Sequence, residues 1–302
     1  NFSYGLKNNT VAKIEENLAD FDGFKVSLEP VRYYPNGETA SHILGYMGKI
    51  SQAGEIEEYI NNQKYNPDTL IGKTGIEESF QKNLYGENGY KRVEVDTYGN
   101  TTNVLEEIKP RPGDNIYLSI DYKLQKRAEF ALDSILRIIR QGGTVHSNWG
   151  DYDVVWSTDK KKPYTNATSG AVMAVDVNTG EVLAMASYPQ YDPNLFATGI
   201  SAADWDGLIP EDQNNPLAAR PLYNVATQTS IQPGSTFKMI TGLAGLEKGL
   251  SPKLKIDDRG YIEIGNTTFG CWLWNQSRQM HGPLNIVEAI RDSCNYFFYT
   301  LA

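Results

Sequence analysis

Residues 107–113, Glu-Ile-Lys-Pro-Arg-Pro-Gly, constrain the fold most. No helix or strand runs unbroken through two prolines and a glycine so closely spaced. The chain therefore divides here, with a first domain expected over 1–111 and a second over 112–302. Texture differs on the two sides. Before the break, residues 11–18 have helical spacing, 24–28 read as a short strand, 33–37 as a turn, 55–60 as an acidic helix and 90–96 as a strand. After it, alternation predicts a strand over 115–120, and apolar residues at three- and four-residue steps predict a helix over 124–139. Residues 142–168, with three lysines at 160–162, read as a solvated insertion. The apolar arms 170–175 and 181–186 flank Asp176-Val-Asn-Thr-Gly180, a hairpin signal. Strands followed by helices on a mostly antiparallel sheet point to an α+β fold.

Composition removes several function classes. A net charge of -9 argues against non-specific nucleic-acid binding. A 40% hydrophobic content suffices for a core, yet no apolar run approaches the roughly 20 residues that cross a bilayer. The chain starts at Asn1 without a Met and stops at Ala302, just after an aromatic run. It is read as a fragment of a longer protein, so a missing leader says nothing about compartment.

The sharpest chemical signal is Gln232-Pro-Gly-Ser235-Thr-Phe-Lys238. Pro233 and Gly234 punctuate, and helical periodicity then begins, which puts Ser235 at a helix start. Lys238 lies three residues on, one turn along the same face. A serine needs a neighbouring base to become a nucleophile, and a lysine serves once burial lowers its pKa. A helix N-terminus adds partial positive charge beside the attacked carbonyl. Alone, this spacing also describes a helix-capping serine with a surface lysine. Further on, Ser293-Cys294-Asn295 offers a hydroxyl and an amide two residues apart, able to relay a proton and hold an amide substrate.

The two cysteines, Cys271 and Cys294, leave three readings open: a disulfide, two buried thiols, or zinc. His281 lies between them, and Asp257 and Asp258 precede them, so a four-ligand site is chemically possible. His42 and His146 read as surface residues.

Taken together, the motifs resemble those of the class B penicillin-binding proteins, and the resemblance covers nearly the whole chain. Arg32-Tyr-Tyr-Pro-Asn-Gly, His42-Ile-Leu-Gly-Tyr, Gly72-Lys-Thr-Gly-Ile-Glu and Leu84-Tyr-Gly are similar to the family's non-catalytic pedestal. Pro112-Gly-Asp-Asn-Ile-Tyr-Leu-Ser-Ile-Asp and Ala174-Val-Asp-Val-Asn-Thr-Gly-Glu-Val-Leu-Ala-Met are similar to the opening of its transpeptidase domain. The resemblance implies a mostly-β pedestal before the transpeptidase domain, and a D,D-transpeptidase that cross-links peptidoglycan stem peptides and is acylated by β-lactams. Ser235 would be the nucleophile, Lys238 its base, and Ser293 with Asn295 the second motif. The third motif, Lys-Thr-Gly, should follow the second. Lys73-Thr-Gly75 stands in the pedestal instead, so the fragment alone is expected to be inactive.

The elongation-type branch also carries a structural zinc. Its ligand pattern corresponds here to Asp258, Cys271, His281 and Cys294, with Cys271 replacing an acid by a better zinc ligand. Further implied are a single-pass membrane anchor outside this fragment, an outward-facing catalytic domain, and a membrane glycosyltransferase and elongation scaffold proteins as partners. A sporulation-specific transpeptidase, a β-lactam sensor and a non-catalytic scaffold are the competing readings.

Overall fold

A computed structural model describes residues 6–17, 26, 30–97, 101–148, 150–154 and 164–302. Of the strand expected over 24–28 only residue 26 is among these, and the lysines at 160–162 lie outside them. The chain forms two compact units, Asn1–Thr229 and Ser230–Ala302.

In the first unit, short helices alternate with hairpins. Helix α1 (Asn8–Glu16) and α2 (Ser41–Leu44) come first, then β1 (Met47–Lys49) and α3 (Ala53–Glu55), which continues as a π-helix over Ile56–Asn62. β2 (Leu70–Gly72) pairs antiparallel with β1, and α4 (Gly75–Ser79) and α5 (Gln81–Tyr85) follow. β3 (Tyr90–Val95) and β4 (Thr101–Ile108) make an exposed two-stranded ribbon. The Lys73 of the upstream Lys-Thr-Gly is tied to Glu55, Nζ to Oε1 at 2.6 Å, which gives it a structural partner in this unit.

Residues 115–120 do not form the expected strand. They form no regular element and bend at Ser119, held by Ser119 Oγ donating to the Val182 carbonyl at 2.7 Å and by Asp121 N–H donating to the Leu183 carbonyl at 2.9 Å. Tyr117 is 91% exposed, so the alternation marks a surface segment with spaced contacts, not a ladder.

Asp121 then caps α6 (Tyr122–Gln141) by accepting from the Leu124 N–H. The apolar stripe Ala128, Leu132 and Leu136 packs on Ala184 and Ala186 of a hairpin. Between them lies a small ladder of β5 (Gly143–Val145) and β6 (Tyr152–Val154). The larger hairpin is β7 (Gly170–Val175) and β8 (Val182–Tyr188), as the turn chemistry predicts. The Asp176 carboxylate accepts from the N–H groups of Asn178 and Thr179, and Gly180 takes the positive φ that closes the turn. α7 (Ala202–Leu208) and α8 (Val225–Gln228) end the unit.

His42 departs from expectation. It is 8% exposed, with Nε2 2.7 Å from the Pro221 carbonyl. A distant carbonyl, invisible to local pattern, makes its burial tolerable. His146 is exposed as expected, beside Asp151.

The second unit opens on a 3₁₀ turn, Gly234–Thr236, leading into α9 (Phe237–Glu247). β9 (Ile256–Asp258), the hairpin β10 (Tyr261–Ile264) and β11 (Thr267–Gly270), α10 (Trp272–Ser277) and β12 (Gly282–Leu284) follow. β12 pairs antiparallel with β9, bringing Gly282 opposite Asp258. α11 (Ile286–Arg291) and α12 (Asn295–Leu301) complete it. Its core is Cys271, Leu284, Ile286, Ala289, Cys294, Phe297 and Phe298. Gly242 lets α9 lie against this core, since a Cβ there would come within 3.1 Å of Ile286. The mixed helix and sheet content is that of an α+β chain.

Candidate active site and metal cluster

All eight residues singled out from the sequence fall in the second unit, in two adjoining groups. The first gathers around α9. Ser235 sits in the 3₁₀ turn that opens the helix, and Lys238 lies one turn further. Lys238 Nζ donates to three oxygens: the Ser293 carbonyl at 2.7 Å, Ser293 Oγ at 3.1 Å and Asn295 Oδ1 at 2.5 Å. Ser293 Oγ in turn lies 3.1 Å from Ser235 Oγ. Lys238 and Ser235 are thus joined through Ser293, where spacing alone suggested a direct reach. Burial lowers the Lys238 pKa below its ordinary value, against the pull of the two nearby cysteine sulfurs. The Phe298 ring, centred 5.9 Å from Nζ, forms part of the apolar surroundings.

The turn that presents Ser293 has a definite construction. α11 starts from an Asn285–Glu288 capping box, in which each side chain bonds the other's backbone N–H. It ends in a Schellman arrangement: Cys294 N–H donates to the Ala289 carbonyl at 2.9 Å and Ser293 N–H to that of Ile290 at 3.2 Å. The residue after the cap in this motif is left-handed and usually glycine. Here it is Ser293, with φ 49°. A side chain in that conformation costs about 1 kcal/mol, and it aims the hydroxyl at Ser235 and the carbonyl at Lys238. Cys294 then caps α12, its sulfur accepting from Phe297 N–H.

The second group is the metal-ligand candidate. One ligand atom each from Asp258, Cys271, His281 and Cys294 lies within 4.8 Å of the others. The two sulfurs are 3.9 Å apart, and Cys271 Sγ is 3.7 Å from His281 Nδ1. Tetrahedral zinc, with bonds of about 2.0 Å to nitrogen and 2.3 Å to sulfur, needs ligand separations of roughly this size. Both cysteines are fully buried and unbridged, and Asp258 is 3% exposed. Two soft sulfurs, an imidazole and a carboxylate in a closed pocket fit zinc.

Burial opposes ionisation of Asp258, but hydrogen bonds from His281 and Gly260 outweigh it and hold the carboxyl below its usual range. Burial pushes the Cys294 thiol up, so a cation is what would let it ionise. The choice between adjacent aspartates resolves by strand alternation: Asp258 points inward while Asp257 is exposed. Gly260 must be glycine, because its φ is 89° and a Cβ would lie 2.5 Å from the Trp274 ring.

One contact had no sequence signal. The Trp272 indole N–H donates to the Asp292 carbonyl at 3.0 Å, across from the neighbouring helix.

Comparison with known proteins matches two family models in succession along the chain. Residues 2–118 match the penicillin-binding protein dimerisation domain, and residues 170–302 match the penicillin-binding protein transpeptidase domain. The peptidoglycan D,D-transpeptidase MrdA of Acinetobacter baumannii is 33% identical over 299 residues, covering 98% of this chain and 38% of that protein. MrdA of Escherichia coli K12 is 32% identical over 296 residues, covering 97% of this chain and 40% of that protein. The chain thus spans about two fifths of the length of these curated relatives. Among solved structures, the complex between PBP2 and MreC from Helicobacter pylori superposes with a TM-score of 0.68 at 29% identity, over 98% of this chain and 46% of that one. A structure described as coordinating polymerization and crosslinking in a peptidoglycan synthase complex gives 0.70 at 31%, with coverages of 98% and 46%.

Proposed function

The chain belongs to the penicillin-binding proteins that join a dimerisation domain to a transpeptidase domain, and from that premise we propose that the full-length protein is a serine D,D-transpeptidase cross-linking peptidoglycan stem peptides during cell-wall elongation. The observation that carries this reading is the hydrogen-bonded line from Ser235 through Ser293 to Lys238, with Asn295 on the lysine.

The chemistry follows from that line. Lys238 acts in its neutral form, which burial favours. Ser235 Oγ attacks the penultimate D-alanine carbonyl carbon while its proton passes to Ser293 Oγ and the Ser293 proton to Lys238 Nζ. Collapse of the adduct breaks the amide bond. Lys238 returns a proton through Ser293 to the departing D-alanine nitrogen, leaving an acyl group on Ser235. An amine of a second stem peptide then attacks that ester, and the same relay takes its proton. As the acyl–oxygen bond to Ser235 breaks, the relay returns the proton to Ser235 Oγ, freeing the serine and leaving the new amide cross-link. Asn295 holds Lys238 between these events and has an amide N–H left for a substrate carbonyl. A β-lactam enters the same first step and stalls as an acyl-enzyme.

The pedestal is assigned to 1–111 and the opening of the transpeptidase domain to 112–302. Zinc is the proposed metal, held by Asp258, Cys271, His281 and Cys294. With four protein ligands it has no open coordination position, so when bound it fixes structure and performs no Lewis-acid step. Cys294 adjoins both Ser293 and Asn295, so the ligand pinning is also catalytic pinning. The similar structures, one a complex of PBP2 with MreC and one a peptidoglycan synthase complex that coordinates polymerization and crosslinking, favour scaffold and glycosyltransferase partners here too. Among the described residues no helix is long and apolar enough to cross a membrane; the anchor and the outward-facing location are proposed from the family.

Incubating the full-length protein with labelled penicillin and mapping the adduct by peptide mass spectrometry tests the reading. Label on Ser235 supports it, and absence of label in a folded, metal-loaded protein contradicts it.

A further inference from the structure

The geometry points to Trp272 as a positioning residue for acylation: its indole N–H clamps the Asp292–Ser293 peptide and so sets where the Ser293 hydroxyl stands. This rests on the reading of Ser235 as nucleophile and Ser293 as relay.

A Schellman end satisfies two helix carbonyls but leaves that of its cap residue, Asp292, without a partner from the motif itself. Trp272 supplies one at 3.0 Å from a different helix. The same peptide unit presents its N–H on the other side, and Ser293 N–H is taken by the Ile290 carbonyl at 3.2 Å. Both polar ends of this one plane are therefore held, and rotation of that plane is rotation about the φ of Ser293. The φ of 49° is unfavourable for a residue with a Cβ. A serine here is thus drawn toward other conformations, and a second hold on the peptide has a purpose it would lack at a glycine. If the plane turns, Ser293 Oγ leaves its 3.1 Å positions beside both Ser235 and Lys238.

Trp272 is also well anchored for such a task. It directly follows Cys271 at the start of α10, and its ring meets the His281 ring edge-on at 5.5 Å. Trp272 is 43% exposed, so it is not a core residue whose loss would empty a cavity. Its polar end does the work, and removing that N–H separates the clamp from packing.

The test uses the full-length, zinc-loaded protein with Trp272 replaced by Phe and, separately, by the benzothienyl analogue of tryptophan, which keeps the ring shape and loses only the N–H. Acylation of Ser235 by labelled penicillin is followed over time, so that initial binding separates from the bond-forming rate. The clamp predicts that both replacements lower the bond-forming rate roughly 3- to 10-fold, the range of one lost hydrogen bond, with initial binding, zinc content and melting temperature unchanged. Repeating the comparison with Ser293→Ala distinguishes positioning from general support. With no hydroxyl to position, the analogue should lower the residual rate less than about 2-fold, because coupled residues are not additive. Equal losses with and without the Ser293 hydroxyl, or full activity of the analogue, overturn the proposal. Should the Phe protein fail to fold, the analogue alone decides. Absence of Ser235 label in the unsubstituted protein would defeat the transpeptidase reading itself, a result distinct from any Trp272 outcome.

Discussion

Lys238 Nζ lies 2.7 Å from the carbonyl oxygen and 3.1 Å from the hydroxyl of Ser293, a residue 55 positions further along the chain. One side chain thus meets both the backbone and the reactive group of the same serine. Ser293 therefore stands between the lysine and Ser235, and this position sets the order of the proposed relay.

Ser293→Ala tests that order. Loss of a positioned proton-transfer group costs roughly 10²- to 10⁴-fold, so acylation of Ser235 should slow by that factor while the fold, read by melting temperature, holds. The substitution also leaves an alanine at a positive φ, so Ser293→Gly, which removes the hydroxyl without that strain, should slow acylation equally.

The pH dependence follows from the burial of Lys238. Its pKa is lowered, and the neutral amine is the base, so acylation should rise with pH as the proton leaves. The inflection should fall below the ordinary lysine value of about 10.4. A pH–rate profile with labelled penicillin reads this directly, and Lys238→Ala should remove the inflection along with most of the rate.

Metal removal should act on the same step. Chelation or Cys294→Ser is expected to lower bound zinc from about one per chain, reduce melting temperature, and slow acylation on the order of 10-fold, by analogy with losses around other metal centres. Elemental analysis and labelling on the same samples check the pairing. The thiols released by chelation should become titratable by a thiol reagent.

Gly260→Ala probes the metal loop without replacing a candidate ligand. Its Cβ would meet the Trp274 ring at 2.5 Å on a backbone with φ 89°. Crowding of this kind costs about 1–3 kcal/mol, so stability and zinc retention should both fall, whereas an alanine at the exposed Gly54, where a Cβ meets nothing within 4 Å, should leave both near their starting values.

Much of the site was legible because its signals are local. The Pro233–Gly234 break, the periodicity after it and the Asp176–Gly180 turn each act within a few residues, and α9 and the β7–β8 hairpin form where they indicate. Residues 115–120 were misread because alternation reports a one-sided environment and not who the hydrogen-bond partner is. Their partners are two carbonyls of β8, at the far end of a helix and a hairpin. His42 was misread for a similar reason, its burial depending on the carbonyl of Pro221. The resemblance already favoured Asp258 over its neighbour Asp257, and the alternation of β9, with Asp257 exposed and Asp258 buried, agrees with it. The Ser293 turn was obscured because a serine occupies the position that glycine usually marks, and the Trp272 contact depends on helix placement alone.

The most direct measurement is peptide mass spectrometry of the full-length, zinc-loaded protein after reaction with labelled penicillin, run beside Ser235→Ala and Ser293→Ala proteins of matched melting temperature. The relay predicts adduct on the peptide carrying Ser235, none in Ser235→Ala, and much slower adduct formation in Ser293→Ala. Adduct on another residue, or unchanged labelling rate without the Ser293 hydroxyl, would contradict it.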